Sequence, residues 1–278
     1  MNTSTKLILV EGLPGSGKTT TATLIAGYLE QRGKETALFL EGDLNHPADF
    51  ESVACLNGQE FATLKSRFPD DAPFLEQHLT REGDDYLFRY RLLEQNYPHL
   101  SPNLIDALAQ FEIYELPVPK FQRLLQDRWQ RFAEKAAAGS TTYVFECCFL
   151  QNPITMLMAR HNETAENTQR FILELAEIVK SLSPRLLYLL QADIQAAVEQ
   201  VARERPQAWL DFVMAYHTQQ GHGKAQGWQG FEGLINFYKM RQAIELSLLP
   251  NLPFPHLLVL HATWAEDEAQ IAQFLAQT

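Results

Sequence analysis

Hydrophobic and polar positions along the chain alternate between two kinds of segment. Short, nearly continuous apolar runs read as buried strands: Leu7 to Val10, Thr36 to Leu40, Thr142 to Phe145, Arg185 to Gln191 and His256 to His261. Between them, apolar residues recur at helical spacing. Leu24, Ile25, Tyr28 and Leu29 share a face of a helix expected from Lys18 to Gln31, closed at Gly33. Phe121, Leu124, Leu125, Trp129, Phe132 and Ala136 form a second stripe, which Gly139 ends. Further helices are expected at Glu163 to Leu182, Asp193 to Ala202, Leu234 to Leu249 and Glu266 to Ala276. Residues 44–140 read as mainly helical and without a strand, and Asp84 to Asn96 is expected to be one of their helices. Residues 203–233 hold Gly221, Gly223, Gly227, Gly230 and Gly233, a composition that predicts a mobile loop. Five strands alternating with helices make a doubly wound, parallel α/β sheet with its ligand site at the carboxyl ends of the strands. A single domain is expected over 1–278. In it, 44–140 form a helical insertion packed over the open end of the sheet, and 203–233 a lid.

The first strand breaks directly into Gly12-Leu13-Pro14-Gly15-Ser16-Gly17-Lys18-Thr19-Thr20, a full match to the P-loop pattern G-x-x-x-x-G-K-[ST], and a helix follows at once. Strand, glycine turn and helix in this order form a phosphate cradle. The glycines let backbone N–H groups converge on phosphate oxygens, and the helix offers its positive end to the same anion. Lys18 reaches the β- and γ-phosphates and the Thr19 hydroxyl ligates Mg²⁺. The expected nucleotide-binding set is Gly12, Pro14, Gly15, Ser16, Gly17, Lys18, Thr19 and Thr20.

Composition narrows the partners. The chain of 278 residues is 46% hydrophobic, ordinary for a globular protein, and its net charge of −11 argues against a general nucleic-acid-binding role. Four consecutive apolar residues at the N-terminus do not make a signal peptide, and no run approaches a membrane span. Cys55, Cys147 and Cys148 form neither a disulfide framework nor a C-x-x-C metal pattern, as in a reduced cytoplasmic protein. The expected partners are a small-molecule acceptor, no nucleic acid and no membrane, with a homodimer left open.

A P-loop supplies half of a phosphoryl-transfer site, and the rest must come from the other strand ends. Strand two runs into Leu40-Glu41-Gly42-Asp43, and strand three ends in Phe145-Glu146. Together with G-L-x-G-x-G-K-T-T, the L-x-G-D segment resembles the P-loop kinases of small molecules, adenylylsulfate kinases in particular, whose segment reads D-G-D. Deoxynucleoside kinases place a general-base glutamate in the same region. The resemblance implies that Asp43 or Glu41 is the base, and Glu41 departs from the D-G-D pattern. It also implies that Glu146 holds Mg²⁺, with Thr19, directly or through water. Thymidylate and deoxynucleoside kinases look similar there, but follow the acid with Arg where this chain has Cys147. Arg203 and Arg205, with Lys224 beyond them, fall where such kinases carry an arginine-bearing lid that neutralises charge on the transferring group.

His46, Asp49, Arg81, Arg89 and Arg91 lie in the insertion, where acceptors dock in such kinases, and Asn45 to Asp49 directly follows the acidic strand end. The reading that results is an ATP- and Mg²⁺-dependent kinase acting on a hydroxyl of a small molecule: a nucleoside, nucleotide, sugar or antibiotic. Its rivals are a nucleotide-gated ATPase switch acting through a protein partner and a polynucleotide end kinase. No N-K-x-D segment is present, which disfavours a guanine-specific switch and leads to ATP as the expected nucleotide.

Overall fold

The computed structural model describes residues 5–260 and 264–276. In chain order its elements are β1 (Leu7–Gly12), α1 (Lys18–Glu30), β2 (Thr36–Phe39), β3 (Ala54–Leu56), α2 (Gly58–Arg67), α3 (Ala72–His78), β4 (Thr80–Glu82), β5 (Asp85–Phe88), α4 (Tyr90–Asn96), α5 (Pro102–Ala109), α6 (Val118–Ala138), β6 (Thr142–Glu146) and α7 (Gln151–Thr155). A π-helical turn (Met156–Arg160) follows, then α8 (Ala165–Val179), β7 (Arg185–Leu189), α9 (Ile194–Glu204), α10 (Gln207–Thr218), α11 (Gly221–Ala225), α12 (Gly230–Leu248), β8 (His256–Val259) and α13 (Trp264–Ala276). The chain divides into two compact units, one of Met1–Glu41 and Gln126–Thr278, the other of Gly42–Leu125.

The first unit is an α/β structure around a five-stranded parallel sheet in the order β2-β6-β1-β7-β8. All five strands are those expected from the apolar runs: β1 and β6 run on to Gly12 and Glu146, and the other three end one or two residues earlier; His261 lies outside the described residues. β1 is central, and every one of its residues is buried. It pairs with β6 through Leu9↔Phe145 and Val10↔Glu146, and with β7 through Gly12↔Leu189. The connections change direction across β1, which opens a crevice at the carboxyl end of that strand. α1 packs on the sheet through Thr21, Ala22, Ile25 and Ala26, while Leu24 is 36% exposed. The buried face is therefore turned from the expected one, because two alanines let the helix lie close to the sheet. Ile8, Val10, Ala22, Ile25, Val144, Leu187 and Leu189 belong to one core. Burying each large aliphatic side chain is worth about 1.5–3 kcal/mol.

The segment expected to be a glycine-rich loop is mostly helical: α10, α11 and the start of α12 lie within 203–233. Three of its five glycines, Gly221, Gly223 and Gly233, serve close packing. A Cβ on Gly221 would stand 2.1 Å from the carbonyl oxygen of Ala159, and one on Gly223 2.0 Å from that of His217. Any side chain there would drive the backbones apart.

The second unit has its own core, with Leu56, Phe61, Leu75, Phe88, Leu104 and Leu108 among its buried members. It also corrects the expectation of a mainly helical insertion without a strand. A three-stranded antiparallel sheet, β3-β5-β4, runs through it. The helix expected over Asp84 to Asn96 is a strand, Asp85–Phe88, followed by a shorter helix, Tyr90–Asn96. Gly83-Asp84 makes a two-residue hairpin turn closed by the pair Glu82↔Asp85. Asp85 is then locked by Lys120 Nζ at 2.7 Å and Arg123 Nη2 at 2.8 Å, both on α6.

His217 on α10 is 7% exposed, packs edge-on against Phe237 and Tyr238, and hydrogen-bonds through Nδ1 to the Val213 carbonyl at 2.7 Å. Burial pushes its pKa down to about 4. The unfolded chain, with an ordinary histidine near 6.5, binds a proton that the folded state refuses, so stability falls as the pH drops below 6.5. At pH 5 the cost is about 2 kcal/mol. In urea unfolding, the stability gap between wild type and His217→Asn should shrink by about that amount between pH 7 and pH 5. Parallel changes in the two proteins would show that His217 does not enter the fold as a neutral group.

Candidate active site

The turn after β1 is shaped by steric demands at its glycines. Gly12 has φ +147°, Gly15 +78° and Gly17 +86°, all outside the range that side-chain-bearing residues adopt readily. A Cβ on Gly12 would lie 2.6 Å from the Leu189 carbonyl oxygen and 2.8 Å from Ser16 Oγ. One on Gly15 would lie 2.6 Å from a methyl of Val201, so α9 passes directly over the loop. Gly17 caps α1 in a left-handed conformation, and α1 begins at Lys18. The Ser16 hydroxyl is buried and has no hydrogen-bond partner in the protein. An orphaned donor in a turn of this shape is what a bound phosphate oxygen would satisfy.

The turn opens onto a cleft of about 740 Å³. Pro14, Gly15, Gly17, Lys18, Thr19 and Thr20 line one side of it, and Leu40, Glu41 and Glu146 another. Gln200, Val201, Glu204, Arg205 and Trp209 complete the wall. Lys18 is 5% exposed and donates to the Leu13 carbonyl at 3.1 Å, a contact it would exchange for a phosphate. Thr19 Oγ1 donates to Glu146 Oε1 at 2.7 Å. The other oxygen of Glu146, Oε2, accepts the Glu41 backbone N–H at 3.2 Å. The Glu41 carboxylate accepts from Gln151 Nε2 at 2.9 Å. Thr19, Glu146 and Glu41, from three separate stretches of sequence, thus form one hydrogen-bonded row along the cleft.

Two hard oxygen donors side by side, the Thr19 hydroxyl and the Glu146 carboxylate, fit Mg²⁺. Among the described residues no group of three or more His, Cys, Asp or Glu side chains is placed to hold a metal alone. Such a pair suits an ion that takes its remaining ligands from phosphate and water.

Of the two lid arginines, Arg205 lines the cleft, with its guanidinium 5.9 Å from the centre of the Trp209 ring. Arg203 is exposed in the last turn of α9 and does not line the cleft. Lys224 is exposed on α11. In the second unit, Asp43 is committed to a turn: its Oδ1 accepts the Asn45 N–H at 2.8 Å. Arg89 ties the same segment down through the Leu44 carbonyl and Asn45 Oδ1. His46 accepts the Ala48 N–H, and Asp49 accepts the Phe50 N–H and the Tyr114 hydroxyl. Arg91 pairs with Glu94, and Arg81 lies over the Tyr86 ring. Each residue expected to meet an acceptor therefore has a structural partner within its own unit.

Glu11, Gln151 and Arg241, which sequence reading missed, lie behind the loop. The Glu11 carboxylate is fully buried and accepts three backbone N–H groups: Phe149 at 2.8 Å, Leu150 at 3.0 Å and Gln151 at 3.1 Å. Burial nevertheless pushes its pKa up to about 7. That proton favours the folded state, so the stability it brings is present at low pH and is lost as the pH rises towards 7. The available signal was Glu11 itself, a charged residue at the end of an otherwise apolar strand. Cys147, at φ +59°, turns the chain out of β6; burial pushes its thiol pKa up, which keeps it protonated and unreactive.

The two glycines give a test of the loop. Gly12→Ala strains the backbone and meets a rigid carbonyl, and should cost about 2–5 kcal/mol. Gly15→Ala carries similar strain but meets the tip of a valine, and should cost about 1–3 kcal/mol. Denaturant unfolding of both variants would show this order; equal costs, or none, would refute the packing described.

Among the described residues no helix is long and apolar enough to cross a membrane. No protein-family model matches the chain, and no curated protein does. Among solved structures, the thymidylate kinase from Candida albicans is similar over 98% of this chain and 91% of its own, at 13% identity and a TM-score of 0.44. A likeness that distant leaves the function to be read from the chain's own residues.

Proposed function

We propose that this protein is an ATP- and Mg²⁺-dependent phosphotransferase that moves the γ-phosphoryl group to a hydroxyl of a small molecule. The observation that supports this best is the row of Thr19, Glu146 and Glu41 along the P-loop cleft. It puts a metal-ligand pair and a further carboxylate beside one phosphate cradle. Lys18, the Ser16 hydroxyl and the loop N–H groups bind the phosphates. Thr19 and Glu146 hold Mg²⁺, which when bound neutralises phosphate charge. Arg205 adds positive charge from the opposite wall. Asp43 remains the alternative base, but its carboxylate is engaged in a turn, whereas Glu41 is a residue of the cleft wall and its carboxylate is oriented by Gln151. Glu41 is therefore the base in this reading, taking the acceptor's proton as its oxygen attacks phosphorus and ADP leaves. The acceptor is a small hydroxylated compound, and neither nucleic acid nor membrane is required.

ADP release should be followed with MgATP against pools of nucleosides, nucleotides, sugars, aminoglycosides and other hydroxylated antibiotics. One pool should raise turnover, and Lys18→Ala should abolish the rise. With that acceptor, Glu41→Gln should lower kcat by about 10²–10⁴-fold, the usual contribution of a general base, and leave MgATP affinity within a few-fold. Quenching of Trp209 fluorescence, absent in Trp209→Phe, should report binding. If Asp43→Asn abolishes turnover and Glu41→Gln does not, the roles are reversed. If wild type binds no MgATP, the kinase reading fails.

A further inference from the structure

A P-loop that points its N–H groups at an anion points its carbonyls back into the protein, where they need donors. α12 answers that need at two places. Arg241, on this helix, is 1% exposed. Its Nη2 donates to the Gly12 carbonyl at 3.0 Å and its Nη1 to Thr155 Oγ1 at 3.3 Å. Its neighbour Gln242 clasps the Gln191 backbone through two hydrogen bonds, and Gln191 Nε2 donates to the Gly15 carbonyl at 3.0 Å. The first glycine of the loop and its central glycine are therefore both held from one helix.

The same guanidinium reaches towards the proposed base. Arg241 Nη2 also lies 3.5 Å from Gln151 Oε1. Arginine has only donors, so the Gln151 amide must turn its oxygen to Arg241. Its NH₂ group is then left to meet the Glu41 carboxylate at 2.9 Å. The charge on Arg241 is balanced by Glu245, with Nε and Oε1 3.1 Å apart, and Glu245 in turn accepts the Tyr188 hydroxyl at 2.5 Å.

We propose that Arg241 is a positioning residue for phosphoryl transfer. It fixes the Gly12 carbonyl, and with it the phosphate-binding turn, and through Gln151 it sets the direction of the Glu41 carboxylate. This rests on the nucleotide-binding reading of the cleft and adds to it a buried residue that touches no ligand.

The alternative is that Arg241 only stabilises the fold, and inorganic tripolyphosphate binding separates the two. In Arg241→Lys the cation facing Glu245 is kept, but one ammonium cannot reach Glu245, Gly12 and Gln151 together. Tripolyphosphate and MgATP affinity should fall about tenfold or more in the folded protein. In Arg241→Met combined with Glu245→Gln both members of the buried ion pair are neutral and Tyr188 keeps an acceptor, so stability should recover relative to Arg241→Met alone. Affinity should stay low, because the loop carbonyl still lacks its donor. If Arg241→Lys binds tripolyphosphate within twofold of wild type, the positioning role is overturned, and the same result from the stabilised double variant would overturn it independently. Should the double variant fail to fold, Arg241→Lys decides alone. A wild type that binds no tripolyphosphate removes the nucleotide reading together with this one; intact binding in both variants removes this one only.

Discussion

The phosphate cradle is bought with backbone polarity. Turning successive N–H groups towards one point leaves their carbonyls facing the interior, and each buried carbonyl without a donor costs about as much as a lost hydrogen bond. Here the carbonyls find donors from distant parts of the chain. Leu13 takes Lys18 Nζ and the Ser16 N–H, Gly12 takes Arg241, and Gly15 takes Gln191. The fold of the first unit answers to this constraint. α12 must pass close behind the loop, and β7 must end at Leu189 beside Gly12, leaving no room for a side chain there.

Bringing Arg241 that deep requires other buried charge. An isolated guanidinium in the core would be costly, so Glu245 pairs with it and Tyr188 supplies a further hydrogen bond. Glu11 adds a second acidic group near by, and it is satisfied differently, by three backbone N–H groups at the start of α7. Those bonds fix where the chain goes after β6, and thereby where Gln151 stands. A buried network of this kind is weak support for stability and strong support for a single geometry. A site that must hold several oxygens in register gains from that geometry.

Much of this was legible in the sequence, for identifiable reasons. A buried parallel sheet needs near-continuous apolar strands, so all five could be read directly. The P-loop has a local sequence signature because its steric demands are local. Thr19, Glu41 and Glu146 were reachable because strand ends converge on the crevice of such a sheet. The contacts of Arg241, Gln151 and Glu245 were not, because they depend on which helix passes behind the loop, and no local pattern encodes that. The hairpin at Thr80 to Phe88 was missed for another reason. Tyr86, Leu87, Tyr90 and Leu93 fit a helical stripe, and the turn signal of Gly83-Asp84 was outweighed by that match.

The glycines between 203 and 233 show how composition misleads when separated from packing. Five glycines in a short span read as freedom of movement. In the structure Gly221 lies against the backbone at Ala159 and Gly223 against that at His217, where a Cβ would overlap a carbonyl oxygen. Both are used to bring helices closer than any side chain allows. The result is a continuous stack: α10 carries Trp209 at the cleft and His217 deeper in, and His217 packs on Phe237 and Tyr238 of α12, the helix that also carries Arg241. Trp209 therefore reaches the cleft from a helix braced against α12, and Arg205 from the short extended link between α9 and that helix, with its guanidinium over the Trp209 ring. A ring held in this way gives that charge a fixed surface to lie against when the phosphate arrives.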